Sequence, residues 1–368
     1  MGVSTTARLE VDLGAIVANW RLLAARAAAA RAGARAAAVV KADGYGLGAI
    51  AIATALAAAG CREFFVATLD EGLALRAALP GPAIGVLNGL AGAPAEAFAA
   101  ARLHPVLNSL SEIDAWARLA RARGQAQPAL LHIDTGMNRL GLSAAEVARL
   151  AAEPARLTGI ALAAIMTHLA EAERPETGQT AAQLARFAAA RALLPAAPDS
   201  IANSAGLFAT DTGSDLARPG AALYGVTPRP DAANPMRQVV RLSARVIGLR
   251  TLSPGERVGY EGSWVAGRPS RIATVAVGYA DGLPRSTSNR ASARFDGAVV
   301  PLVGRVSMDL STFDVTDQPG LGPGDWLELI GPDNPPDALA RAAGTIGYEI
   351  LTGLGPRLPR IHLPADAA

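Results

Sequence analysis

Cysteine is almost absent from this sequence of 368 residues, in which Cys61 stands alone. A single cysteine excludes an intramolecular disulfide framework and a cysteine-based metal site. Only 4% of the residues are aromatic, so the core must be built from Ala, Val, Leu and Ile. No apolar run approaches the length of a membrane span, and the N-terminus has no signal-peptide pattern. We therefore expect a cytoplasmic protein that holds no metal and contacts no membrane.

Excess charge of either sign is also missing. The sequence has 34 basic and 32 acidic side chains, and its net charge is only +2. The arginines are scattered singly among the acids, and no basic stripe forms along the chain. This pattern disfavours a nucleic-acid-binding protein, which concentrates its positive charge on one face.

Lysine is the rarest charged residue, since Lys41 is the only one in the chain. Codon drift towards arginine and alanine explains the scarcity and the alanine tracts 27–30 and 36–38. A lysine that survives such drift is a candidate for chemistry that arginine cannot perform, because only an amine can lose its proton and attack a carbonyl. Lys41 also ends an apolar run and precedes the glycine-containing turn 42–46. Its position therefore indicates a functional residue.

Short apolar runs alternate with alanine-rich segments of helical length over about the first 225 residues. The predicted strands are 36–41, 64–68, 83–87, 105–108, 129–134, 159–168, 199–203 and 216–224. The predicted helices include 47–59, 91–102, 111–123, 144–153 and 178–194. Eight strands that alternate with helices are typical of an α/β fold, the (β/α)8 or TIM-like barrel. We assign residues 1–235 to this barrel domain.

The alternation stops near residue 227, and a different pattern follows. Short β runs separated by Gly and Pro turns dominate the rest of the chain. The predicted strands there include 242–249, 271–277, 298–302 and 326–330. This pattern predicts a separate, mostly β domain over residues 236–368.

Polar residues follow several of the predicted barrel strands, where the active sites of such barrels lie. They are Lys41 after the first strand, 134–139 after the fifth, His168 after the sixth, 203–204 after the seventh and 218–220 after the eighth. The loops after strands seven and eight commonly bind phosphate. A lysine placed across the barrel mouth from such a phosphate site indicates a residue that forms a Schiff base with pyridoxal 5′-phosphate (PLP).

Segment 40–48, Val-Lys-Ala-Asp-Gly-Tyr-Gly-Leu-Gly, resembles the PLP-attachment motif of the alanine racemase family. Further segments resemble that family's motifs in the same order: 133–141, 167–168, 203–204, 218–225, 258–260, 277–282, 304–309 and 347–349. The match covers nearly the whole chain. It implies a (β/α)8 barrel followed by a β domain, and a homodimer in which each active site lies at the junction of the two chains.

The resemblance implies two catalytic bases. Lys41 resembles the Schiff-base lysine of the family, which is also one of its bases. Tyr260 resembles the second base, and His168 resembles the histidine that hydrogen-bonds this tyrosine. Racemisation removes a proton from one side of a carbon and returns it from the other, so two bases on opposite faces suit it.

The resemblance also implies contacts to PLP and to the substrate. Arg218 matches the arginine that meets the pyridine nitrogen, and guanidinium keeps its proton, so the ring nitrogen should stay unprotonated. Arg139 resembles the arginine that contacts the phenolic oxygen of PLP and the substrate carboxylate. The residues that resemble the phosphate cradle are Tyr45, Ser204, Gly220, Ala221 and Tyr348. Met308 resembles the residue whose backbone N–H binds the carboxylate, and Tyr279 resembles a tyrosine of the narrow entrance.

Two positions depart from the family pattern. Many members carry a carbamylated lysine two residues before Asp134, where it orients the arginine that matches Arg139. This chain has His132 there, so His132 itself, a bound anion or Asn138 is left to orient Arg139. The second departure is Ser307, which stands where the family often has cysteine.

These features predict a PLP-dependent alanine racemase that interconverts L- and D-alanine and supplies D-alanine for peptidoglycan. The closest alternative is a PLP racemase of broader amino-acid specificity, because motifs do not set the width of a pocket. A fold-related PLP decarboxylase of basic amino acids pairs the ring nitrogen with a carboxylate, so Arg218 disfavours it. A PLP-carrier protein of the same barrel family lacks a C-terminal domain.

Overall fold

The computed structural model of the chain describes residues 6–209 and 212–365. A ring of parallel strands forms its N-terminal part. The strands are Arg35–Ala36 continued by Ala38–Val39, then Glu63–Val66, Ala83–Val86, His104–Leu107, Gln127–His132, Ile160–Met166, Asp199–Ser200 and Leu216–Ala217. Neighbours pair in parallel from Ala38–Val39 to Asp199–Ser200. The eighth strand pairs in parallel with Arg35–Ala36, and the Arg218 N–H donates to the Ala202 carbonyl at 2.8 Å. The predicted (β/α)8 barrel is confirmed.

The carboxyl-terminal portions of the barrel strands are buried on both faces, as expected for a parallel sheet covered by helices. Phe64, Ile84, Val106 and Leu131 are each fully buried, and they come from four successive strands. Apolar strand interiors leave the strand ends as the place where polar side chains gather. The rim at the carboxyl ends of the strands therefore positions the candidate site.

Helices surround the barrel, and two short ones lie near the end of the chain. They are Leu13–Ala30, Ala49–Ala58, Leu69–Ala78, Ala95–Ala100, Leu110–Arg123, Ala144–Ala152, Gln179–Arg191, Pro336–Ala343 and Gly347–Thr352. Leu13–Ala30 and Leu69–Ala78 lie outside the predicted segments. Each begins at a capping residue, since Asp12 accepts from Ala15 N at 2.8 Å and Thr68 forms a capping box with Glu71. These caps were available in the sequence as start signals.

The C-terminal part is mostly β, as predicted. Its strands are Val240–Leu252, Arg257–Val258, Trp264–Val265, Ser270–Val275, Ser292–Phe295, Ala298–Pro301, Ser311–Asp314, Trp326–Ile330 and Arg360–Leu363. The first strand of the chain, Ala7–Asp12, joins this sheet. It pairs antiparallel with Val240–Leu252 and parallel with Arg360–Leu363. The domain limits 1–235 and 236–368 stay a prediction, but the sheet of the second domain includes a strand from the start of the chain.

One predicted strand is wrong over most of its length. Residues 216–224 form a strand only at Leu216–Ala217, and Ala221–Tyr224 is a 3-10 helix. The apolar run 221–224 is typical of a strand by composition, but Pro219 and Gly220 precede it and break the strand. The chain therefore turns at the barrel rim directly after Ala217.

Candidate active site

Lys41 begins a left-handed turn at the end of the first barrel strand. Ala42, Asp43, Gly44 and Tyr45 all have positive φ, with values of 53°, 51°, 63° and 57°. A left-handed conformation costs a non-glycine residue about 1–2 kcal/mol. Hydrogen bonds hold the turn, because Ala42 N donates to Glu71 at 2.7 Å and Ala49 N donates to Asp43 at 2.8 Å. The backbone at Lys41 thus belongs to a strained turn that hydrogen bonds hold at both ends.

The Lys41 amine lies partly buried in a positively charged environment. Burial lowers its pKa, the Arg139 guanidinium lowers it further, and the Glu71 carboxylate opposes both effects. A lowered pKa increases the fraction of the neutral amine, which is the nucleophilic and basic form. The environment of Lys41 therefore favours reaction with a carbonyl.

Backbone N–H groups converge on Ser204 across the barrel mouth. The Ser204 hydroxyl accepts from Gly220 N at 3.0 Å and from Ala222 N at 3.2 Å, and Ala221 lies between these two donors. A Cβ atom on Gly220 would lie 2.2 Å from the hydroxyl oxygen of Tyr45, so only glycine fits there. Hydroxyls and peptide N–H groups at such close quarters form a donor set that suits a phosphate.

Three tyrosines stack beside these donors. The rings of Tyr45 and Tyr224 lie 4.4 Å apart and are stacked, and Tyr348 meets Tyr45 edge-on at 6.5 Å. The Tyr224 hydroxyl donates to the Val39 carbonyl at 3.0 Å. Burial raises the pKa of Tyr45, so its hydroxyl keeps its proton and can donate it in a hydrogen bond. Tyr224 fixes the Tyr45 ring, although sequence reasoning gave Tyr224 no role.

Arg218 is a buried guanidinium, with only 3% of its surface exposed. It donates to the Ser200 hydroxyl at 2.5 Å and to the Thr167 carbonyl at 2.6 Å. No carboxylate of the described residues forms a salt bridge with it, and burial lowers its pKa to about 10. A buried cation that has only neutral partners attracts an anion or a neutral nitrogen acceptor.

Two histidines at the rim are neutral at ordinary pH. Burial, followed by the Arg218 guanidinium, lowers the pKa of His168 to about 3 and that of His132 to about 4. His132 Nδ1 lies 2.7 Å from the side-chain oxygen of Asn108, whose Nδ2 donates to the Val106 carbonyl at 2.8 Å. The imidazole therefore donates from Nδ1 and leaves Nε2 as an acceptor. Sequence reasoning missed Asn108, although it follows the fourth strand at the same rim.

Arg139 lies on the loop after the fifth strand. Asp134 shapes this loop, because its Oδ1 accepts from the backbone N–H groups of Gly136, Met137 and Asn138 at 2.9, 3.0 and 3.1 Å. Arg139 itself is exposed, and its charge lowers the pKa values of Lys41 and His168. The loop thus brings the Arg139 guanidinium to the same rim as Lys41, the only lysine of the chain.

Besides Tyr348, which contacts the Tyr45 ring, three candidate residues of the C-terminal part lie on the surface of the chain. Tyr260 is 68% exposed, Met308 53% and Tyr279 43%. The backbone joins two of them, since Tyr279 N donates to Ser307 O at 3.0 Å and Ala280 N donates to Met308 O at 2.9 Å. Tyr260 lies on the turn Tyr260–Gly262, in which Glu261 forms a salt bridge with Arg305.

The predicted site residues therefore form two groups. Nine of them meet at the barrel mouth: Lys41, Tyr45, Arg139, His168, Ser204, Arg218, Gly220, Ala221 and Tyr348. On the β part, backbone hydrogen bonds join the segment that contains Tyr279 to the segment that contains Met308. Within the described residues, no hydrogen bond, ion pair or ring contact joins Tyr260 to Lys41 or His168.

The remaining expectations concern metals and membranes. In the ranges that the structure describes, no group of three or more His, Cys, Asp and Glu side chains is arranged to hold a metal ion. None of the described helices combines the length and the apolar character needed to cross a bilayer. Cys61 is buried and unpaired.

Comparison with known proteins matches both halves of the chain to one family. Residues 11–228 match the family described as alanine racemase, N-terminal domain, and residues 239–362 match alanine racemase, C-terminal domain. An alanine racemase of Acidiphilium cryptum is 57% identical, over 96% of this chain and 98% of that protein. A catabolic alanine racemase of Agrobacterium fabrum is 47% identical, over 96% of this chain and 92% of that protein.

Solved structures agree with these matches. Alanine racemase from Bartonella henselae, with covalently bound pyridoxal phosphate, superposes with a TM-score of 0.92 and is 42% identical, over 97% of this chain and 99% of that one. Alanine racemase from Streptomyces coelicolor superposes with a TM-score of 0.91 and is 35% identical, over 98% of both chains. The chain therefore belongs to the alanine racemase family, whose members are PLP-dependent isomerases.

Proposed function

We propose that this protein interconverts L- and D-alanine with PLP as its cofactor and with Lys41 and Tyr260 as the two bases. The observation that carries the proposal is the position of Lys41. The only lysine of the chain lies in a strained turn at the rim where Ser204, Gly220 and Arg218 also lie. Such a rim fits a cofactor that carries an aldehyde at one end of its ring and a phosphate at the other.

The residues at the barrel mouth fit PLP in charge and in hydrogen-bonding capacity. The backbone of Gly220, Ala221 and Ala222, the Ser204 hydroxyl and the Tyr45 and Tyr348 hydroxyls would hold the phosphate. Arg218 would face the ring nitrogen. Among the described residues its partners are the neutral Ser200 and Thr167, which supports this role. When bound, PLP withdraws electrons from the α-carbon of the amino acid and so makes its proton acidic.

Lys41 and Tyr260 would move that proton. On one face of the substrate, Lys41 Nζ takes the α-proton in its neutral form, which burial favours. On the other face, the Tyr260 hydroxyl supplies a proton to the same carbon, and the reverse reaction exchanges the two roles. His168 would accept or donate a hydrogen bond to Tyr260 as a neutral imidazole. The Arg139 guanidinium and the Met308 N–H would hold the substrate carboxylate, and Tyr279 would line the entrance.

We further propose that two copies of the chain form a homodimer and share each site. Tyr260, Tyr279 and Met308 are exposed side chains on the β part of the chain, where a partner chain can reach them. The two bases must stand on opposite faces of one planar cofactor. A partner that places its Tyr260 over the barrel mouth meets this requirement, and the interface is isologous, as in most homodimers.

The setting of the enzyme follows from the reaction. D-alanine is a building block of peptidoglycan, so the proposed role is its supply in the cytoplasm. Residues 1–235 would form the cofactor-binding domain and residues 236–368 the domain that covers the partner's site.

The test is an assay of purified protein against a panel of L-amino acids, in which D-products and carbon dioxide are both measured. We expect D-alanine as the main product and no carbon dioxide. Comparable rates with larger amino acids would instead establish a racemase of broad specificity. Release of carbon dioxide would contradict racemisation as the reaction.

A further inference from the structure

Two glutamates occupy the same position in two helices of the barrel. Glu71 is the third residue of Leu69–Ala78, and Glu112 is the third residue of Leu110–Arg123. In each helix the hydroxyl before the first residue, Thr68 or Ser109, accepts from the backbone N–H of that glutamate at 3.3 Å. Both helices therefore begin with the same arrangement, which satisfies otherwise unpaired N–H groups.

Both carboxylates also reach a neighbouring loop. Glu112 accepts from Asn108 N at 2.7 Å with one oxygen, and with the other it accepts from Leu90 N and Ala91 N at 2.8 and 3.2 Å. Glu71 accepts from Ala67 N and from Ala42 N, each at 2.7 Å. The two arrangements are similar, although only Glu71 also accepts from the N–H of its N-cap residue, Thr68, at 3.4 Å. Only Glu71 holds the turn that contains Lys41.

The contact at Ala42 is placed where the turn needs it. Ala42 follows Lys41 directly and has a φ of 53°, a conformation that alanine adopts only under constraint. The far end of the turn is held separately, since Ala49 N donates to Asp43 Oδ1 and Gly48 N donates to Asp43 O, both at 2.8 Å. At the near end, the side chain that binds the turn is Glu71, through a charge-assisted hydrogen bond.

We propose that Glu71 is a positioning residue, whose carboxylate fixes the left-handed turn and thereby the position of Lys41 at the rim of the barrel. The inference rests on the proposed role of Lys41 as the cofactor lysine. Glu71 acts through the backbone of Ala42. Its effect on Lys41 is distinct from its capping of the helix, because one oxygen serves each purpose.

The experiment compares Glu71→Gln with Glu112→Gln in the holoenzyme. Both variants lose a capping carboxylate, so both should lower the melting temperature. Only Glu71→Gln should change the visible circular dichroism of the bound cofactor, which reports its orientation, and it should release PLP about tenfold faster or more. Glu112→Gln should change the release rate by less than about twofold. Its bonds reach Leu90, Ala91 and the backbone N–H of Asn108, and the Asn108 side chain that binds His132 keeps its own bond to the Val106 carbonyl.

A second substitution tests the strain itself. Glycine adopts positive φ without the penalty of alanine, so Ala42→Gly should relax the turn. In the double variant Glu71→Gln/Ala42→Gly, we expect the circular dichroism and the release rate to return partly towards wild type. If Glu71→Gln does not fold, Glu71→Asp replaces it, because aspartate keeps the charge and loses the reach.

Two results would overturn the inference. One is a Glu71 variant that matches Glu112→Gln in circular dichroism and release rate, and the other is an impaired Glu71 variant that Ala42→Gly does not improve. The proposed function fails separately, because its failure appears in the wild type. A wild-type protein with no cofactor on Lys41 would overturn that function and this inference with it.

Discussion

The two groups of site residues differ in how much of their surroundings their own chain supplies. At the barrel mouth, Arg218 and Tyr45 are 3% and 9% exposed and have hydrogen-bond or ring partners within the chain. On the β part, Tyr260 is 68% exposed and Met308 53%. The described chain itself surrounds Arg218 and Tyr45, whereas it leaves Tyr260 and Met308 exposed. Cofactor binding should therefore depend on the barrel, and proton transfer on both groups.

The largest effect is expected for Lys41→Arg. Arginine keeps the charge but cannot attack a carbonyl, so the variant should lose both cofactor attachment and a base, which alone contributes about 10²–10⁴-fold. Borohydride reduction of wild-type holoenzyme, followed by peptide mass analysis, should find one pyridoxyl group per chain on the Lys41 peptide. No other lysine competes for the label. A normally active variant would remove Lys41 from the mechanism.

Tyr260→Phe should lower racemisation by about 10²–10⁴-fold, the usual contribution of one general base. Its cofactor content and visible spectrum should stay at wild-type level, because Tyr260 touches none of the cradle residues within the described chain. Steady-state rates in both directions, measured beside the PLP content, give the comparison. Loss of PLP from this variant would contradict the prediction that cofactor binding depends on the barrel residues and not on Tyr260.

Gly220→Ala should weaken cofactor binding with less effect on chemistry. The new Cβ would lie 2.2 Å from the Tyr45 hydroxyl, and such overpacking costs about 1–3 kcal/mol, which corresponds to about 5- to 150-fold in affinity. The matched control is Gly267→Ala, since a Cβ there meets nothing within 4 Å. Equilibrium titration of the apoprotein with PLP measures both. Equal affinities for the two variants would refute the close contact at Gly220.

The smallest effect on activity belongs to the last prediction, which concerns acid stability. His132 and His168 have pKa values of about 4 and about 3 in the folded chain, below the ordinary 6.5. From pH 6.5 down to about 4, the unfolded chain therefore binds more protons than the folded one. The free energy of unfolding should fall with falling pH by up to about 1.4 kcal/mol per pH unit for each histidine.

The variant His132→Gln isolates one of these histidines. Between pH 6.5 and about 4, the free energy of unfolding of this variant should fall less steeply than that of the wild type. The difference should equal the contribution of one histidine. Denaturant titrations of wild type and variant at several pH values measure the difference. Parallel curves for the two proteins would mean that His132 is not held neutral at the barrel mouth.

Much of this arrangement could be predicted from the sequence. Apolar runs in the sequence located at least part of each of the eight barrel strands, and the rule that sites lie at the carboxyl ends of strands selected Lys41, His168 and Ser204. Composition misled at 221–224, where an apolar run forms a 3-10 helix. The alanine tract 27–30 forms the last turn of the helix Leu13–Ala30. Codon drift also explains its composition, so the tract alone did not identify this helix.

Other features depend on contacts between distant segments. The left-handed turn at Ala42 requires Glu71, which lies 29 positions away, and no local pattern announces that bond. The Asn108–His132 hydrogen bond joins the ends of two adjacent strands, which become neighbours when these strands pair in the sheet. The pairing of Ala7–Asp12 with Arg360–Leu363 unites the two ends of the chain. Sequence patterns identify such residues one at a time, and packing decides which of them meet.

Subunit exchange tests the shared site most directly. Inactive Lys41→Ala protein is mixed in equal amount with inactive Tyr260→Phe protein, and exchange is verified independently by mass. If one chain supplies Lys41 and its partner Tyr260, half of the dimers are mixed and each has one intact site of two. Activity should then recover to about a quarter of wild type. If both bases came from one chain, every site would lack one of them, so verified exchange without recovery would contradict the shared site.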